Sequence, residues 1–162
     1  MSLFNSILGH APRLAEWKTK KGMPTIIKTI SWIQLNYPGC DLQEQIRNFI
    51  KDAFEKWGTP YFVLGGDVNI IPIRYAWIHQ FASDLNPKGE FEPADMYYSC
   101  LDGNWNADGD ATFGEADYDR WNDGSVHYSS LGNVDDVDIS PDVFVARIPV
   151  ENLIEAQVFF DK

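Results

Sequence analysis

Apolar positions recur along this chain in two distinct patterns. Between 42 and 57, Leu42, Ile46, Phe49, Ile50, Ala53 and Trp57 return every three or four residues, while Arg47, Lys51, Asp52 and Glu55 occupy other sides. That period predicts an amphipathic helix. Asp41, followed three residues later by Glu44, has the form of a capping box, in which each side chain satisfies an orphan N–H of the first turn. Gly58 suits the left-handed position beyond the last turn. Residues 61–64 (Tyr-Phe-Val-Leu) and 143–148 (Val-Phe-Val-Ala-Arg-Ile) are instead short apolar runs without alternation. Such runs predict strands covered by helices on both faces, and therefore a parallel sheet.

Weaker patterns fill the rest. Leu14, Trp17 and Lys18 at helical spacing, ended by Gly22, predict a short helix over 13–21. The β-branched Thr25, Ile26, Ile27 and Thr29 predict a strand over 25–29. Residues 151–162 predict a helix that is apolar nearly all round, which needs cover on more than one side and shows no stop signal at Lys162. A following domain is the expectation there. With strand, helix, strand, a long excursion, strand and helix in order, the pattern predicts a single α/β layered domain over 1–162. The long acidic excursion over 76–141 far exceeds an ordinary connection, so it is expected to hold short local structure or a stabilising ion.

The chain has 162 residues, 44% of them hydrophobic and 14% aromatic, enough to bury a core. No apolar run approaches the roughly 18 residues of a membrane span, and the opening residues lack the basic start of a signal peptide. Two cysteines, Cys40 and Cys100, are too few for a disulfide scaffold. Charge changes the picture more. Of a net charge of −11, most lies between 102 and 142, where eleven carboxylates face one base, Arg120. A phosphate backbone would be repelled by such a segment, which argues against nucleic acid, whereas a cation is its natural partner.

Within that segment, Asn104-Trp-Asn106-Ala-Asp108-Gly109-Asp110-Ala-Thr112-Phe-Gly114-Glu115 fits the twelve-residue calcium loop at all but its first position, where Asn replaces Asp. Calcium takes six to eight hard oxygens, alternate residues of a tight loop can point them inward, and a terminal Glu can supply two. The candidate ligands are Asn104, Asn106, Asp108, Asp110 and Glu115, with Asp102 as a further one; the competing reading is a solvated acidic turn. Ala111 replaces the large aliphatic residue of an EF-hand and no flanking helices are evident, so a true EF-hand is not expected. For catalysis the residues offer less. Cys40 lies in a Pro-Gly turn, and Cys100, between bulky apolar neighbours, reads as an inert, half-buried thiol. His10, His79 and His127 sit near no nucleophile motif. Asp67 ends a buried strand, a place where α/β folds gather function, but is expected to accept N–H bonds in its own turn.

Five segments in order, LAEWKTKKGMPT, IRNFIKDAFEKWG, YFVLGGDVNIIPIR, PADMYYSCLDG and PDVFVARIPVEN, resemble the gingipain-type cysteine peptidases of family C25. The most specific pieces are LGGD-x₄-IP around Asp67 and Pro72, a strand with Ala94-Asp95-x-x-Tyr98, and the strand Val145-Ala-Arg147-Ile-Pro149. The resemblance implies a three-layer α/β/α, caspase-like (Rossmann-like) half-domain with a mostly parallel sheet, similar to the first of two subdomains. In the family, the catalytic His of a His-Gly motif and the catalytic Cys lie in the second subdomain. Neither motif occurs here, so no catalytic residue is carried over. The resemblance further implies a hydrolase acting on protein substrates, calcium stabilisation, a secreted or cell-surface location, and a C-terminal catalytic subdomain as partner. A second reading, a stand-alone calcium-dependent binding module, follows if no catalytic half accompanies the chain.

Overall fold

The computed structural model of the chain describes residues 4–79, 89–115, 119–120, 126–127, 135 and 137–161; in it three helices come first, strands follow, and a helix closes the order. The elements are α1 (Phe4–Lys20), α2 (Ile30–Asn36), α3 (Leu42–Trp57), β1 (Tyr61–Gly65), β2 (Arg74–His79), β3 (Gly89–Ala94), a 3₁₀ turn (Asp95–Tyr98), β4 (Asp119–Arg120), β5 (Val126–His127), β6 (Phe144–Ile148) and α4 (Leu153–Phe160). They form two compact units, Met1–Pro72 with Phe144–Lys162, and Ile73–Val143. Asp117, Asp123 and Asp136 of the acidic run lie outside the described residues.

In the first unit, α3 has the bounds its periodicity predicts. The Asp41 carboxylate accepts the Glu44 N–H at 2.9 Å, and Glu44 Oε2 accepts the Cys40 N–H at 2.5 Å. Gly58, at φ 63°, closes the helix by donating to the Phe54 carbonyl. Ile46, Ile50 and Ala53 are buried. Phe49 is half-buried and meets Trp32, Tyr37 and Trp57 edge-on. The Tyr37 hydroxyl donates to Asp52, whose carboxylate also holds Lys56.

Strands β1 and β6 pair in parallel, Tyr61 opposite Phe144 through Gly65 opposite Ile148. Expected to be covered on both faces, they instead leave Tyr61, Val63 and Phe144 exposed, with the Tyr61 and Phe144 rings stacked at 5.2 Å. Past β1, Asp67 makes its turn with the main chain rather than the side chain: its carbonyl accepts the Ile70 and Ile71 N–H groups. Arg147 holds that turn to the sheet, donating from Nη1 to the carbonyls of Gly66 at 2.9 Å and Ile71 at 2.7 Å.

Three local expectations are corrected in this unit. The helix expected over 13–21 begins at Phe4 and tolerates Pro12 inside it, although Gly22 does take the left-handed φ of 88°. The strand expected over 25–29 does not form. Thr29 instead accepts the Trp32 N–H and caps α2, a competition between β-branched propensity and capping that the hydroxyl wins. The last helix starts at Leu153 because Asn152 Oδ1 accepts the N–H groups of Ile154 and Glu155. It packs Ala156 and Phe160 with Ile148, Val150 and Leu14, and leaves Leu153, Ile154, Val158 and Phe159 at least half exposed.

The second unit is antiparallel. β2 and β3 form a hairpin from Arg74 opposite Ala94 to His79 opposite Gly89, and Asp119–Arg120 pairs with Val126–His127. The strand expected around Asp95 and Tyr98 ends at Ala94, where the chain tightens into the 3₁₀ turn. Tyr97, Tyr98, Cys100, Leu101, Trp105 and Val143 are its core. Cys100 is wholly buried rather than half-buried, 3.9 Å from Ser99 Oγ. The buried Arg74 guanidinium lies 3.8 Å over Phe113 and 4.6 Å over Tyr97, so the cation is offset by ring faces.

Candidate metal centre

The loop 104–115 is built from short side-chain turns. Asn104 Oδ1 accepts the Asn106 N–H, Asp108 Oδ1 that of Asp110, and Asp110 Oδ1 that of Thr112. Each Asx turn lets the chain reverse direction without a regular ladder. Gly109, at φ 76°, supplies the left-handed residue the reversal needs. The result brings one carboxylate oxygen from each of Asp108, Asp110 and Glu115 within 4.8 Å of the others, the two aspartates exposed and the glutamate half-buried.

The remaining expected ligands fall differently. Asn106 donates from Nδ2 to the Asp110 carbonyl at 3.1 Å, which leaves Oδ1 buried and without a hydrogen-bond partner. Asn104 stays in the loop with its oxygen turned to the main chain. Asp102 is not drawn into the Asp108, Asp110 and Glu115 group. Its carboxyl is hydrogen-bonded to Asp138 and feels the charge of Asp142, and both effects hold its pKa above the ordinary carboxylate value. Asp138 is pushed the other way, first by the Ser140 N–H that its carboxylate accepts.

The residue that organises the loop escapes a reading by motif. Asp135 is 6% exposed, and its carboxylate accepts three main-chain N–H groups. Oδ1 takes Ala107 at 2.5 Å, and Oδ2 takes Gly114 at 2.8 Å and Glu115 at 3.1 Å. Its own N–H donates to the Glu115 carbonyl at 2.8 Å. Because it lies 20 to 28 residues beyond its partners, no local spacing marks it. A second tie runs to the hairpin, where Trp77 N–H donates to the Phe113 carbonyl at 2.7 Å. A Cβ on Gly114 would come within 3.0 Å of that of Ala76.

The Asp102–Asp138 contact sets a pH dependence. A carboxyl whose folded pKa is raised favours the folded state when protonated, and that contribution is lost as pH rises through the folded pKa. Asp102→Asn, measured in chelator, is therefore expected to melt at or above the parent at about pH 7 and to lose that advantage near about pH 4, where unperturbed carboxylates protonate. A melting difference that does not change between those values refutes the contact.

The Peptidase family C25 model matches residues 4–162. The comparison with curated proteins gives no match, and neither does that with solved structures. Among the described residues, no helix is long and apolar enough to cross a membrane.

Proposed function

From the premise that the chain belongs to peptidase family C25, a family of cysteine peptidases, we propose that it is the structural, non-catalytic subdomain of a gingipain-like endopeptidase, braced by calcium. The match over residues 4–162 carries the family part of this reading. Two features support a partner subdomain bearing the His and Cys. The β1–β6 pair leaves an apolar face with Tyr61, Val63 and Phe144 in water, and α4 leaves Ile154 and Val158 exposed. Parallel sheets are ordinarily covered on both faces, and a caspase-like three-layer arrangement would provide that cover. Secretion and action on protein substrates are part of the same proposal.

The reading predicts that this chain by itself hydrolyses no peptide, because neither Cys40, exposed in its turn, nor Cys100, sealed in a core, is set up as a nucleophile. Turnover of arginyl or lysyl peptide substrates that is lost in Cys100→Ala or Cys40→Ala would overturn it.

For calcium, the donor set is all hard oxygen: the Asp108, Asp110 and Glu115 carboxylates, with Asn106 Oδ1 as a buried oxygen that a cation would satisfy. An ion there would also offset the mutual repulsion of the carboxylates. An ion that binds only the folded state stabilises it by about 2.7 kcal/mol at one hundred times its Kd. Calcium should thus raise the melting temperature, chelator should lower it, and magnesium should substitute poorly because it demands octahedral geometry. Glu115→Gln is expected to remove most of the calcium effect while leaving the melting temperature in chelator unchanged or higher. Melting curves indifferent to calcium and chelator would leave the loop a solvated turn.

A further inference from the structure

The stretch 17–29 carries Lys18, Lys20, Lys21 and Lys28 and no carboxylate, in a chain of net charge −11. It also exposes large apolar side chains: Trp17, Met23, Ile26 and Ile27, the last two 61% and 39% exposed. The lysines gather around rings, with Lys18 and Lys21 Nζ 5.2 and 5.8 Å from the Trp17 ring centre and Lys28 Nζ 3.7 Å from that of Trp32. Among the described residues, only Lys20 of these forms an ion pair, with Glu16 at 2.7 Å.

The main chain here is unusual in a second way. Its start is tied down, Met23 N–H to the Lys18 carbonyl and Thr25 N–H to Thr19 Oγ1. Thr29 belongs to the cap of α2. Between them, among the described residues, the main-chain groups of Ile26, Ile27 and Lys28 make no hydrogen bond. The residues themselves are strand formers, yet among the described residues no strand neighbour pairs with them. A β-prone run with open N–H and C=O groups is a template for an added strand.

We propose that residues 25–28 are a docking edge for an extended, acid-rich peptide segment, which pairs with this main chain as a strand and sets its carboxylates against the flanking Lys21 and Lys28. Charge complementarity selects the acidic partner. The open main chain selects a peptide over an anionic lipid surface, since burying unpaired N–H and C=O groups in a bilayer is costly, whereas a strand satisfies them. The proposal is independent of calcium and of the family's chemistry.

The test is fluorescence anisotropy in chelator with a labelled peptide of about ten residues alternating Glu and Val, long enough to span the run as a strand. Comparators are the same peptide with Lys for Glu, and vesicles of phosphatidylcholine and phosphatidylserine. The acidic peptide is expected to bind at least about tenfold tighter than the basic one, weakening as salt rises. Amide exchange at Ile26, Ile27 and Lys28 should slow in the complex. Lys21→Glu with Lys28→Glu should weaken binding by about tenfold or more, and Ile26→Pro, which removes one N–H, should abolish it at unchanged melting temperature. If Ile26→Pro melts lower, the lysine pair and the exchange data decide. Equal affinity for both peptides, binding without slowed exchange at those amides, or binding to the vesicles in preference to the acidic peptide would each overturn the proposal.

Discussion

Asp135→Ala is expected to release the loop 104–115 and destabilise the unit Ile73–Val143 by roughly 3 to 5 kcal/mol, more than any other single carboxylate change among the described residues. The magnitude follows from what the side chain does. Its carboxylate is the acceptor for the N–H groups of Ala107, Gly114 and Glu115, and it sits 6% exposed, where water replaces it poorly. Truncation orphans three donors, each worth about 1 to 3 kcal/mol when buried and unpaired, although relaxation will return part of the sum. Asp135→Asn should fall between parent and Ala, because one amide oxygen still accepts while the NH₂ group meets an N–H head-on. Urea unfolding read by tryptophan fluorescence measures the loss, and Trp105, buried in the same unit, reports on it directly. Faster amide exchange at Ala107, Gly114 and Glu115 locates it. A loss below about half a kcal/mol, the size of an ordinary surface change, would sink the clamp.

The contrast between Asp135 and its neighbours shows what was legible beforehand. The cluster of loop carboxylates was readable because it is a local pattern, with alternate oxygens and a turn glycine inside twelve residues. The structure brings one carboxylate oxygen of each of Asp108, Asp110 and Glu115 within 4.8 Å of the others. Asp102, added on proximity in sequence, goes instead to Asp138 and Asp142, since two residues of chain suffice to turn a side chain away. Asp135 and Arg147 do their work across long sequence separations, and in a single sequence they look like any other charge.

The same division holds for the fold. Helix α3 was legible to the residue because its stripe, capping box and terminal glycine agree. Strands β1 and β6 were legible as apolar runs, and their parallel pairing follows. Residues 25–29 misled because strand propensity measures fit to a neighbouring strand, and among the described residues none pairs with them. The antiparallel hairpin of β2 and β3 carries Pro93 and charged residues within it, so neither period marks it.

Ile50→Ala is expected to cost the first unit about 2 to 5 kcal/mol, the range for a buried aliphatic residue cut back to its Cβ. Ile50 is 1% exposed at the centre of the α3 stripe, one helical turn from Ile46 and close to Ala53, so the lost methylenes leave a cavity that a rigid helix cannot collapse into. The stripe is not uniform, which gives the prediction its internal control. Trp57, on the same stripe but 52% exposed at the last helical position, should lose far less than Ile50 when truncated, despite its larger side chain. Phe49 should fall between them. It is half-buried, but its edge contacts with Trp32, Tyr37 and Trp57 at 6.1, 5.5 and 6.4 Å add to its transfer energy. Ile50→Val, removing one methylene, should cost about 0.5 to 1.5 kcal/mol. Urea denaturation of the four variants therefore orders them Ile50→Ala, Phe49→Ala, then Ile50→Val and Trp57→Ala together at the low end. An order that follows side-chain size, with Trp57→Ala the most damaging, would mean that the C-terminal end of α3, rather than its middle at Ile50, is the part packed into the core.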